Sequence, residues 1–336
     1  MEDVAVVILN YNGRAMLQNF LPTVLQHSLG YKVIVADNAS TDDSVAFMQT
    51  HFSEVECIQM LVNKGFAGGY NEALAQVKAK YYILLNSDVE VTENWISPVI
   101  QEMKANNWVA AQPKILAQKQ KTHFEYAGAA GGFLDKWGYA FCRGRIFDTA
   151  EIDENQYNTN LEIFWATGAC LFIDSAVYHK MGGLDEDFFA HMEEIDLCWR
   201  LQNAGFKIGY VAQSTVYHVG GATLHKSNPF KTFLNFRNSL WMMTKNLPDN
   251  QLYKTLFVRL CLDGVAAMQF LAKGNWGDFK AVFNAHMAFY GKFFNMLAKR
   301  KLIQKAENKI ETIYPKSIIV EYFLKKKTKF KGLNWL

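Results

Sequence analysis

The densest cluster of ionisable side chains in the sequence lies between Asp185 and Asp196. Within it, Glu193 and Glu194 follow the pair Phe188-Phe189 and stand at the start of a predicted helix. Acidic side chains suit the positive end of a helix dipole, which is the structural explanation for the cluster. Like charge and partial burial also raise a carboxyl pKa towards neutrality, and such a carboxylate can act as a general base. The cluster is therefore a candidate catalytic site.

Polar residues also end three of the predicted strands. Asn10-Tyr11-Asn12-Gly13 ends the first strand, Asp37 follows the second, and Asn86-Ser87-Asp88 follows a later one. A carboxylate at Asp37 can accept a hydrogen bond from a base or a ribose hydroxyl. Asp88 can ligate Mg²⁺ or Mn²⁺, because these cations take oxygen ligands. An Asx turn at Asp37 and a helix N-cap at Asp88 are the structural alternatives.

Two further features stand beside these strand ends. The segment 63–71 (NKGFAGGYN) is rich in glycine, which permits close backbone approach. It matches neither a P-loop nor a dinucleotide-binding fingerprint, and tight helix–sheet packing is the alternative explanation. His218 closes a strand before Gly220-Gly221 and is either a metal ligand or a buried, hydrogen-bonded histidine.

The elements that would position these residues alternate between strand and helix. Apolar runs predict buried strands over 4–9, 33–36, 81–85 and 108–111, and the intervening segments predict helices over 15–28, 42–52, 67–79 and 92–107. This alternation predicts βαβ units and a mostly parallel sheet, in which ligands bind at the carboxyl ends of the strands. The next segments are predicted as loops or a short hairpin over 117–160, a strand over 163–173, a helix over 192–204 ending at Gly205, and one bent or two short strands over 207–218.

Length, cysteine content and charge limit the class of protein. The 336 residues, half of them hydrophobic, suffice for one large α/β domain with an appendage. The five cysteines form no CxxC pair, which predicts reduced thiols in the cytosol rather than zinc ligands or disulfides. The N-terminus lacks the basic start and apolar core of a signal peptide. Residues 1–230 carry a net charge of −10 and residues 231–336 carry +13, which predicts two regions with different roles.

Residues 231–336 are predicted to be helical over 231–246, 251–273 and 277–305. The charges of Lys254, Arg259 and Asp263 interrupt the second segment and argue against a membrane span. The third segment is amphipathic and the tail is rich in lysine, and basic amphipathic helices bind anionic membrane surfaces. A helical packing region or an oligomer interface would explain the same pattern. Nothing in the sequence matches a nucleic-acid-binding module.

Taken in order, the motifs resemble those of family 2 glycosyltransferases with the GT-A fold. The resemblance covers about residues 4–240 and is strongest to bacterial rhamnosyltransferase- and galactofuranosyltransferase-like members. The motifs that carry it are VVILNYNG, VADNASTDDS, NKGFAGGYNEAL, YYILLNSDVEV, ATGACLFI, GGLDEDFFAHMEEIDLCWRLQNAGFKIGYV and VYHVGG. Their order is specific, although each motif alone is not.

The resemblance implies a role for each candidate residue. Asp88 and His218 would hold Mg²⁺ or Mn²⁺ with the diphosphate of the donor. Glu194 would be the catalytic base; the family usually has aspartate there, so the assignment stays open between Glu194 and Glu193. Asp196 is the third candidate catalytic residue of the acidic motif. The nucleotide site would comprise Tyr11, Asn12, Asp37, Asn63, Gly65 and Ser87, and the donor and acceptor pocket would comprise Trp165, Gly168 and His191.

The function implied is inverting transfer of a sugar from a nucleotide-diphosphate sugar, such as dTDP-rhamnose or a UDP-sugar. The acceptor would be a hydroxyl of a glycan or a lipid-linked glycan in cell-surface polysaccharide synthesis. The enzyme would work in the cytoplasm, peripherally on the inner face of the cell membrane, and a homo-oligomer stays open.

Three other classes of protein share parts of this pattern. A sugar-1-phosphate nucleotidyltransferase would carry a Gly-rich, Arg-containing loop after the first strand, unlike Asn10–Arg14. A processive polysaccharide synthase would carry a QxxRW motif and transmembrane spans. A non-catalytic glycan-binding protein would be expected to lack the acids, and Asp88, Glu194 and Asp196 are all present.

Overall fold

A computed structural model of the chain describes residues 3–220, 228–303 and 310–336. Gly221 and residues 304–305 of the third predicted C-terminal helix lie outside the described residues. The helices are α1 (Arg14–His27), α2 (Ser44–His51), α3 (Gly65–Leu74), α4 (Ser97–Ala105), α5 (Ser175–Lys180), α6 (Glu193–Asn203), α7 (Pro229–Asn246), α8 (Leu252–Ala272) and α9 (Trp276–Leu302).

The strands form two sheets. They are β1 (Val4–Asn10), β2 (Lys32–Asp37), β3 (Glu56–Gln59), β4 (Tyr81–Asn86), β5 (Val89–Val91), β6 (Trp108–Ala117), β7 (Gln120–Phe124), β8 (Gly132–Asp135), β9 (Ala140–Cys142), β10 (Arg145–Ile146), β11 (Thr149–Ala150), β12 (Leu161–Glu162), β13 (Cys170–Asp174), β14 (Lys207–His218) and β15 (Ile313–Tyr314).

The larger sheet has ten strands and a mixed topology. Its order is β12-β14-β6-β13-β4-β1-β2-β3, with β5 paired to β14 and β7 to β6. Strands β1 to β4 pair in parallel, whereas β13 runs antiparallel to both β4 and β6. Alternate residues of β1 enter different cores, with Val7 on one face and Val6 on the other. This burial on both faces explains the continuous apolar run of β1 and confirms the α/β prediction.

The register of the parallel strands brings their polar ends together. Asn10 pairs with Asp37, and the preceding Leu9 pairs with Asn86. The Asn86 N–H donates to the Ala169 carbonyl at 3.0 Å, which ties the segment before β13 to the same edge. The carboxyl edge of the sheet therefore collects the polar motifs that the sequence analysis placed at strand ends.

The segment between β6 and β13 is more ordered than predicted. Residues 117–160 were expected to form loops or a short hairpin, but they contribute β7 to the large sheet and most of a second, five-stranded sheet. The order of this second sheet is β11-β10-β9-β8-β15, and its edge strand β15 comes from the far C-terminus. A pairing between residues 134 and 313 leaves no signal in local sequence, so the prediction was wrong for a non-local reason.

Two predicted elements are shorter than expected. The apolar run 163–173 is a strand only over Cys170–Asp174, because Thr167 and Gly168 form an irregular approach to it. The helix predicted over 92–107 exists only over Ser97–Ala105, after strand β5 and a turn.

Helix α6 confirms the prediction for 192–204. Gly205 has φ +83°, its N–H donates to the Gln202 carbonyl, and the Phe206 N–H donates to the Leu201 carbonyl, both at 3.0 Å. This left-handed glycine ends the helix and satisfies its last carbonyls, as predicted. Strand β14 is one strand with an irregular register between Val211 and Thr215, which corresponds to the bent alternative.

The C-terminal region packs on both sheets. Leu240 and Trp241 of α7 share one hydrophobic core with residues of the large sheet. Near the C-terminus, Phe330 and Trp335 pack on Phe133 of the second sheet, with ring centroids 5.4 and 5.1 Å away. A division at residue 230 stays a prediction, but no break in the core marks it among the described residues.

Helix α8 differs from the prediction that its charges interrupt a membrane span. By length and composition it is apolar enough to cross a membrane, with a mean hydropathy of 1.5 over its best window, and it is the one such helix among the described residues. A single helix of this kind is weak evidence for a span. Arg259 and Asp263 lie one turn apart and form an ion pair at 2.8 Å, so they offset each other rather than interrupting the helix.

Candidate active site

The end of β2 is shaped by Asp37, whose side chain is almost fully buried. One carboxylate oxygen accepts from Asn10 Nδ2 at 3.1 Å and from Ser40 Oγ at 2.6 Å, and the other accepts from the Ser40 N–H at 2.9 Å. Asp37 thus forms the Asx turn that was its structural alternative. The turn holds the carboxylate at the sheet edge, and its binding role stays a prediction.

Asn12 connects the first strand end to the loop after β2. Its backbone N–H donates to Ser40 Oγ at 2.9 Å, and its Oδ1 accepts from the Thr41 N–H at 2.7 Å. The neighbouring ring of Tyr11 is exposed, and Ser87 is partly buried across the same edge. The predicted nucleotide residues from β1, β2 and β4 therefore share one surface.

The glycine-rich segment contacts the acidic segment. Asn63 Oδ1 accepts from Asn38 Nδ2 at 3.0 Å and from the Gly65 N–H at 2.8 Å, which shapes the start of α3. Gly65 has φ +71°, and a Cβ there would lie 2.5 Å from Phe189. The Phe66 N–H donates to the Phe189 carbonyl at 2.7 Å. The close backbone approach that the glycines predicted is thus made to residue 189.

Asp88 and His218 lie together, as the predicted metal site requires. His218 Nε2 is 3.1 Å from Asp88 Oδ1, and both side chains are less than a tenth exposed. The antiparallel pairing of β14 with β5 places His218 opposite Val89, which fixes this contact. On the other side of the ring, His218 Nδ1 is 3.4 Å from Glu125 Oε2. Burial alone would lower the pKa of His218, but Glu125 and Asp88 raise it to about 10.

This donor set fits a divalent cation that the substrate helps to bind. The Asp88 carboxylate oxygen and the His218 imidazole nitrogen lie close enough to bind one cation. This mixed pair suits Mn²⁺ better than Mg²⁺, which prefers oxygen ligands. Among the described residues no group of three His, Cys, Asp or Glu side chains could hold a metal ion. A cation here would therefore need further oxygens, which a diphosphate supplies.

The loop before α6 has an unusual backbone. Phe189, His191 and Met192 have φ of +65°, +68° and +72°, values that cost a non-glycine residue about 1–3 kcal/mol each. Asn238 of α7 is fully buried and points its Nδ2 at the carbonyls of residues 188, 190 and 191, at 3.0, 2.9 and 2.7 Å. Asn238 thus fastens the strained loop that delivers the two glutamates.

Three polar atoms of this loop are left without partners. His191 Nε2, Glu193 Oε2 and Glu194 Oε2 are buried and have no hydrogen-bond partner among the described residues. Buried polar atoms are nearly always paired in native structures, so a cluster of three is typical of a site that a ligand completes. Burial and the nearby Lys231 lower the pKa of His191 to about 4, which keeps its ring neutral at pH 7.

The two glutamates differ in exposure. Glu193 is 3% exposed, whereas Glu194 is partly exposed. Burial, and then the charge of Glu194, raise the pKa of Glu193 well above its ordinary value of 4.5. Burial also raises the pKa of Glu194. A base must reach its substrate, so the partly exposed Glu194 is the better placed of the two.

Asp196 has a structural role rather than the catalytic one first considered. It is fully buried, and its carboxylate accepts from Arg200 Nε, Lys245 Nζ and Asn246 Nδ2 at 2.9, 2.8 and 2.8 Å. With two cations and an amide on its oxygens, it joins α6 to α7 and is not available to a substrate. Removal of one partner from such a buried network is strongly destabilising.

Trp165 and Gly168 lie at different depths. Trp165 is buried, packs on Gly132 and donates from Nε1 to the Phe133 carbonyl at 3.1 Å, so it belongs to the core rather than to a pocket wall. A Cβ at Gly168 would lie 3.8 Å from Glu194 Cβ. The carbonyl of Ala169, the residue after Gly168, accepts from the Asn86 N–H at the end of β4. Glu194 therefore lies near the end of β4, which comes two residues before Asp88.

Glu125 and Asn238 contact candidate site residues without a sequence signal that singles them out. Glu125 lies in the segment that was expected to be irregular, and Asn238 lies in a helix assigned to the C-terminal region. Both act through other residues of this chain, and neither position carries a distinctive local pattern.

Residues 5–168 match the family model described as Glycosyl transferase family 2. The chain is 26% identical over 237 residues to an N-acetylglucosaminyl-diphospho-decaprenol L-rhamnosyltransferase of Mycobacterium tuberculosis, covering 65% of this chain and 76% of the relative. It is 24% identical over 224 residues to the rhamnosyltransferase WbbL of Escherichia coli K12, covering 64% and 83%. These matches confirm the resemblance inferred from the motifs.

Solved structures confirm the GT-A fold. A mannosyltransferase of Pyrobaculum calidifontis, in complex with GDP-Man and Mn²⁺, superposes with a TM-score of 0.52 at 12% identity, covering 90% of this chain and 85% of that one. GalNAc-T7, with UDP, GalNAc and Mn²⁺, gives a TM-score of 0.56 at 14% identity over 73% of this chain. This chain spans about half the length of the GalNAc-T7 chain (48%).

Proposed function

We propose that this chain, of which residues 5–168 match the family 2 glycosyltransferase model, transfers a sugar with inversion from a nucleotide-diphosphate sugar to a hydroxyl group. The acceptor is a glycan or a lipid-linked glycan, and the donor class includes dTDP-rhamnose and UDP-sugars. The observation that carries the proposal is that the Asp88–His218 contact and the glutamates 193 and 194 lie at one sheet edge. Each glutamate has one buried oxygen without a hydrogen-bond partner among the described residues.

The chemistry needs a single displacement. The acceptor oxygen attacks the anomeric carbon, the bond from that carbon to the donor phosphate breaks, and the nucleoside diphosphate leaves with the bonding electrons. Glu194 takes the proton from the acceptor hydroxyl on the face opposite the leaving group. One displacement inverts the anomeric centre, whereas retention would require two.

Asp88 and His218 act at the other end of the donor. They would hold Mn²⁺ or Mg²⁺, which neutralises the charge that develops on the departing diphosphate. Glu125 holds the His218 ring from behind, and a carboxylate in this position orients a ligating imidazole. The turn at Asp37 and the exposed ring of Tyr11 lie where the base and ribose would bind.

The neutral His191 stands beside the base without adding a positive charge. Its unpartnered Nε2 is free among the described residues to hydrogen-bond a sugar hydroxyl, as is the second oxygen of Glu193. These atoms would therefore select and orient the sugar while Glu194 removes the proton.

A nucleotide-sugar screen tests the proposal. The protein should release nucleoside diphosphate from one donor in the presence of Mn²⁺, and NMR of the first product should show an inverted anomeric centre. Nucleoside diphosphate should raise the melting temperature with Mn²⁺ and much less with EDTA. Asp88→Asn should lose this metal-dependent increase. Equal stabilisation in EDTA, or a retained anomeric configuration, would contradict the proposed mechanism.

A non-catalytic glycan-binding protein is the second candidate. It would account for the unpartnered polar atoms without chemistry. Donor turnover in the screen above separates it from the enzyme, because a binder would be stabilised by the nucleotide sugar and release no diphosphate.

A further inference from the structure

Helices α8 and α9 expose an apolar surface that is large for a water-soluble fold. On α9 the exposed side chains are Trp276, Phe283, Met287, Tyr290 and Phe294, each between 48% and 80% exposed. At 100° per residue these five positions fall within an arc of about 60°, so they form one stripe along the helix. Contiguous apolar surface of this kind marks an interaction site rather than ordinary scatter.

Helix α8 adds a second stripe beside the first. Tyr253, Phe257, Val265 and Met268 are each more than half exposed, and Cys261 is exposed between them. The two helices follow each other through a short turn and pack together. Helix α9 also packs along α7, which belongs to the core, so both stripes are held by the folded protein.

Two of the charged side chains of α8, Arg259 and Asp263, point the other way. Arg259 is 4% exposed, donates to the Gly138 carbonyl at 3.1 Å and stacks on the Tyr139 ring at 3.7 Å. Asp263 is fully buried and accepts from Arg259 Nε at 2.8 Å and from Tyr139 Oη at 3.1 Å. His286 of α9 faces the same carboxylate at 3.6 Å. Helix α8 is therefore fixed to the protein by one face and apolar on the other.

We propose that α8 and α9 form a docking surface for an anionic lipid bilayer, and that both helices lie in the plane of the membrane instead of crossing it. Crossing would pull Arg259 and Asp263 away from Tyr139 and His286 into hydrocarbon, where ionised groups are costly. Lying in the interface leaves that cluster buried in protein and places only the two apolar stripes in lipid.

The charge of the same two helices favours anionic lipid over a second copy of the chain. Residues 252–302 carry eight Lys and Arg and two Asp, a net charge of +6. Lys254, Lys273 and Lys280 are exposed, and Lys280 lies at the edge of the α9 stripe, one turn from both Trp276 and Phe283. Two copies would bring like charges together, whereas anionic headgroups would offset them. Tryptophan and tyrosine at the stripe margins suit the headgroup region.

Cys261 provides a depth probe, because it is the tenth of the 21 residues of α8. In a crossing helix it would lie near the bilayer centre, and in an in-plane helix it would lie about 5–10 Å into the interface. Of the other cysteines, three are buried and Cys57 is half-buried, with burial raising its pKa to about 11, so a maleimide dye reacts mainly at Cys261.

The test uses the full chain, labelled at Cys261, with phosphatidylcholine vesicles that contain phosphatidylglycerol. The protein should float with these vesicles and bind less to vesicles of phosphatidylcholine alone. The fluorescence of the dye on Cys261 should be quenched by a nitroxide near the lipid headgroup rather than by one at the end of the lipid acyl chain. The double variant Phe283→Ser/Phe294→Ser should bind at least about tenfold more weakly. Leu29→Ser/Leu61→Ser, which removes two exposed leucines outside these helices, should bind like the original protein.

Each other outcome overturns the proposal. Quenching of the Cys261 dye by a nitroxide at the end of the lipid acyl chain would show that α8 crosses the bilayer. A dimer in sedimentation analysis that dissociates in the Phe283/Phe294 variant, without vesicle binding, would show an interface between copies. A protein that stays monomeric and does not bind anionic vesicles would show that α8 and α9 form no docking surface. Bilayer binding needs no donor or metal, so these results are independent of whether the proposed transfer reaction is correct. A cooperative thermal unfolding transition, followed by circular dichroism without nucleotide, serves as the check that each variant is folded.

Discussion

Asn238 should control catalysis although it lies outside any substrate site. Its Nδ2 carries two hydrogens and faces three backbone carbonyls of the strained loop 188–191, so two full hydrogen bonds and one weaker contact hold the loop. Asn238→Ala removes them and leaves the carbonyls of residues 190 and 191 without this donor, at about 1–3 kcal/mol for each lost bond. The carbonyl of residue 188 keeps its hydrogen bond from Arg237 Nη2 at 3.1 Å. We expect the free energy of unfolding to fall by about 2–4 kcal/mol.

The catalytic effect should exceed what lost stability explains. With the clamp removed, the positive-φ residues can relax to ordinary backbone angles, and the glutamates at the start of α6 move with them. A displacement of about 1 Å in a catalytic group costs about 10²-fold in rate. The kcat for release of nucleoside diphosphate should fall by about that factor. The KM for the donor should change little, because the side chain of Asn238 hydrogen-bonds this loop and the neighbouring Arg237 and none of the candidate nucleotide residues.

Asn203→Ala is the matched control. Asn203 is also buried and donates to a backbone carbonyl, that of Asn246, but it lies at the far end of α6. It should lose stability with near-normal kcat when both variants are assayed well below their melting temperatures. If Asn238→Ala loses stability and keeps its kcat, the geometry of the loop does not set the position of the base.

Three further variants test separate parts of the site. Asp37→Asn should weaken nucleotide affinity in calorimetry by about 10–100-fold, the usual worth of a charged hydrogen bond, with the fold retained; unchanged affinity would confine Asp37 to its turn. Glu193→Gln should raise the melting temperature at pH 7 and not near pH 4, because folding raises the pKa of Glu193. The protonated Glu193 carboxyl therefore contributes its full stability below pH 4.5, and this contribution is lost as the pH rises through the pKa of the folded state. An equal change in melting temperature at both pH values would count against this. Glu125→Gln should weaken Mn²⁺ binding by about 10–100-fold in the presence of nucleoside diphosphate, with nucleotide affinity in EDTA unaltered; Mn²⁺ affinity equal to that of the original protein would show that Glu125 does not orient His218.

The parallel half of the fold was predictable because each signal is local. The apolar run of β1, the polar residue that ends each strand and the glycine after α6 each reflect a neighbour-to-neighbour constraint. Asp88, His218 and the glutamate pair also lie in local motifs, and their metal-binding and catalytic roles stay predictions.

The rest of the site depends on contacts between distant segments. The glycines near residue 65 indicated a close approach, but its partner at residue 189 is more than 120 positions away. Asp196 looked like a catalytic acid until Lys245 and Asn246 of α7 were found on its oxygens. Strand β15 could not be predicted, because two residues of the tail carry no pattern that specifies β8 as their partner.

The identity of the base is the most direct test of the proposed reaction, and Glu193→Gln with Glu194→Gln forms the deciding pair. The two residues are adjacent on α6 and point about 100° apart, so only one can face the acceptor. Loss of general-base assistance typically costs about 10²–10⁴-fold in rate. We expect Glu194→Gln to lose sugar transfer by this factor with donor affinity unchanged, and to lose the acid limb of the pH–rate profile, which burial should place above 4.5. Glu193→Gln should retain transfer. A dead Glu193→Gln with an active Glu194→Gln would assign the base to the neighbour, and full activity of both would contradict the proposed site.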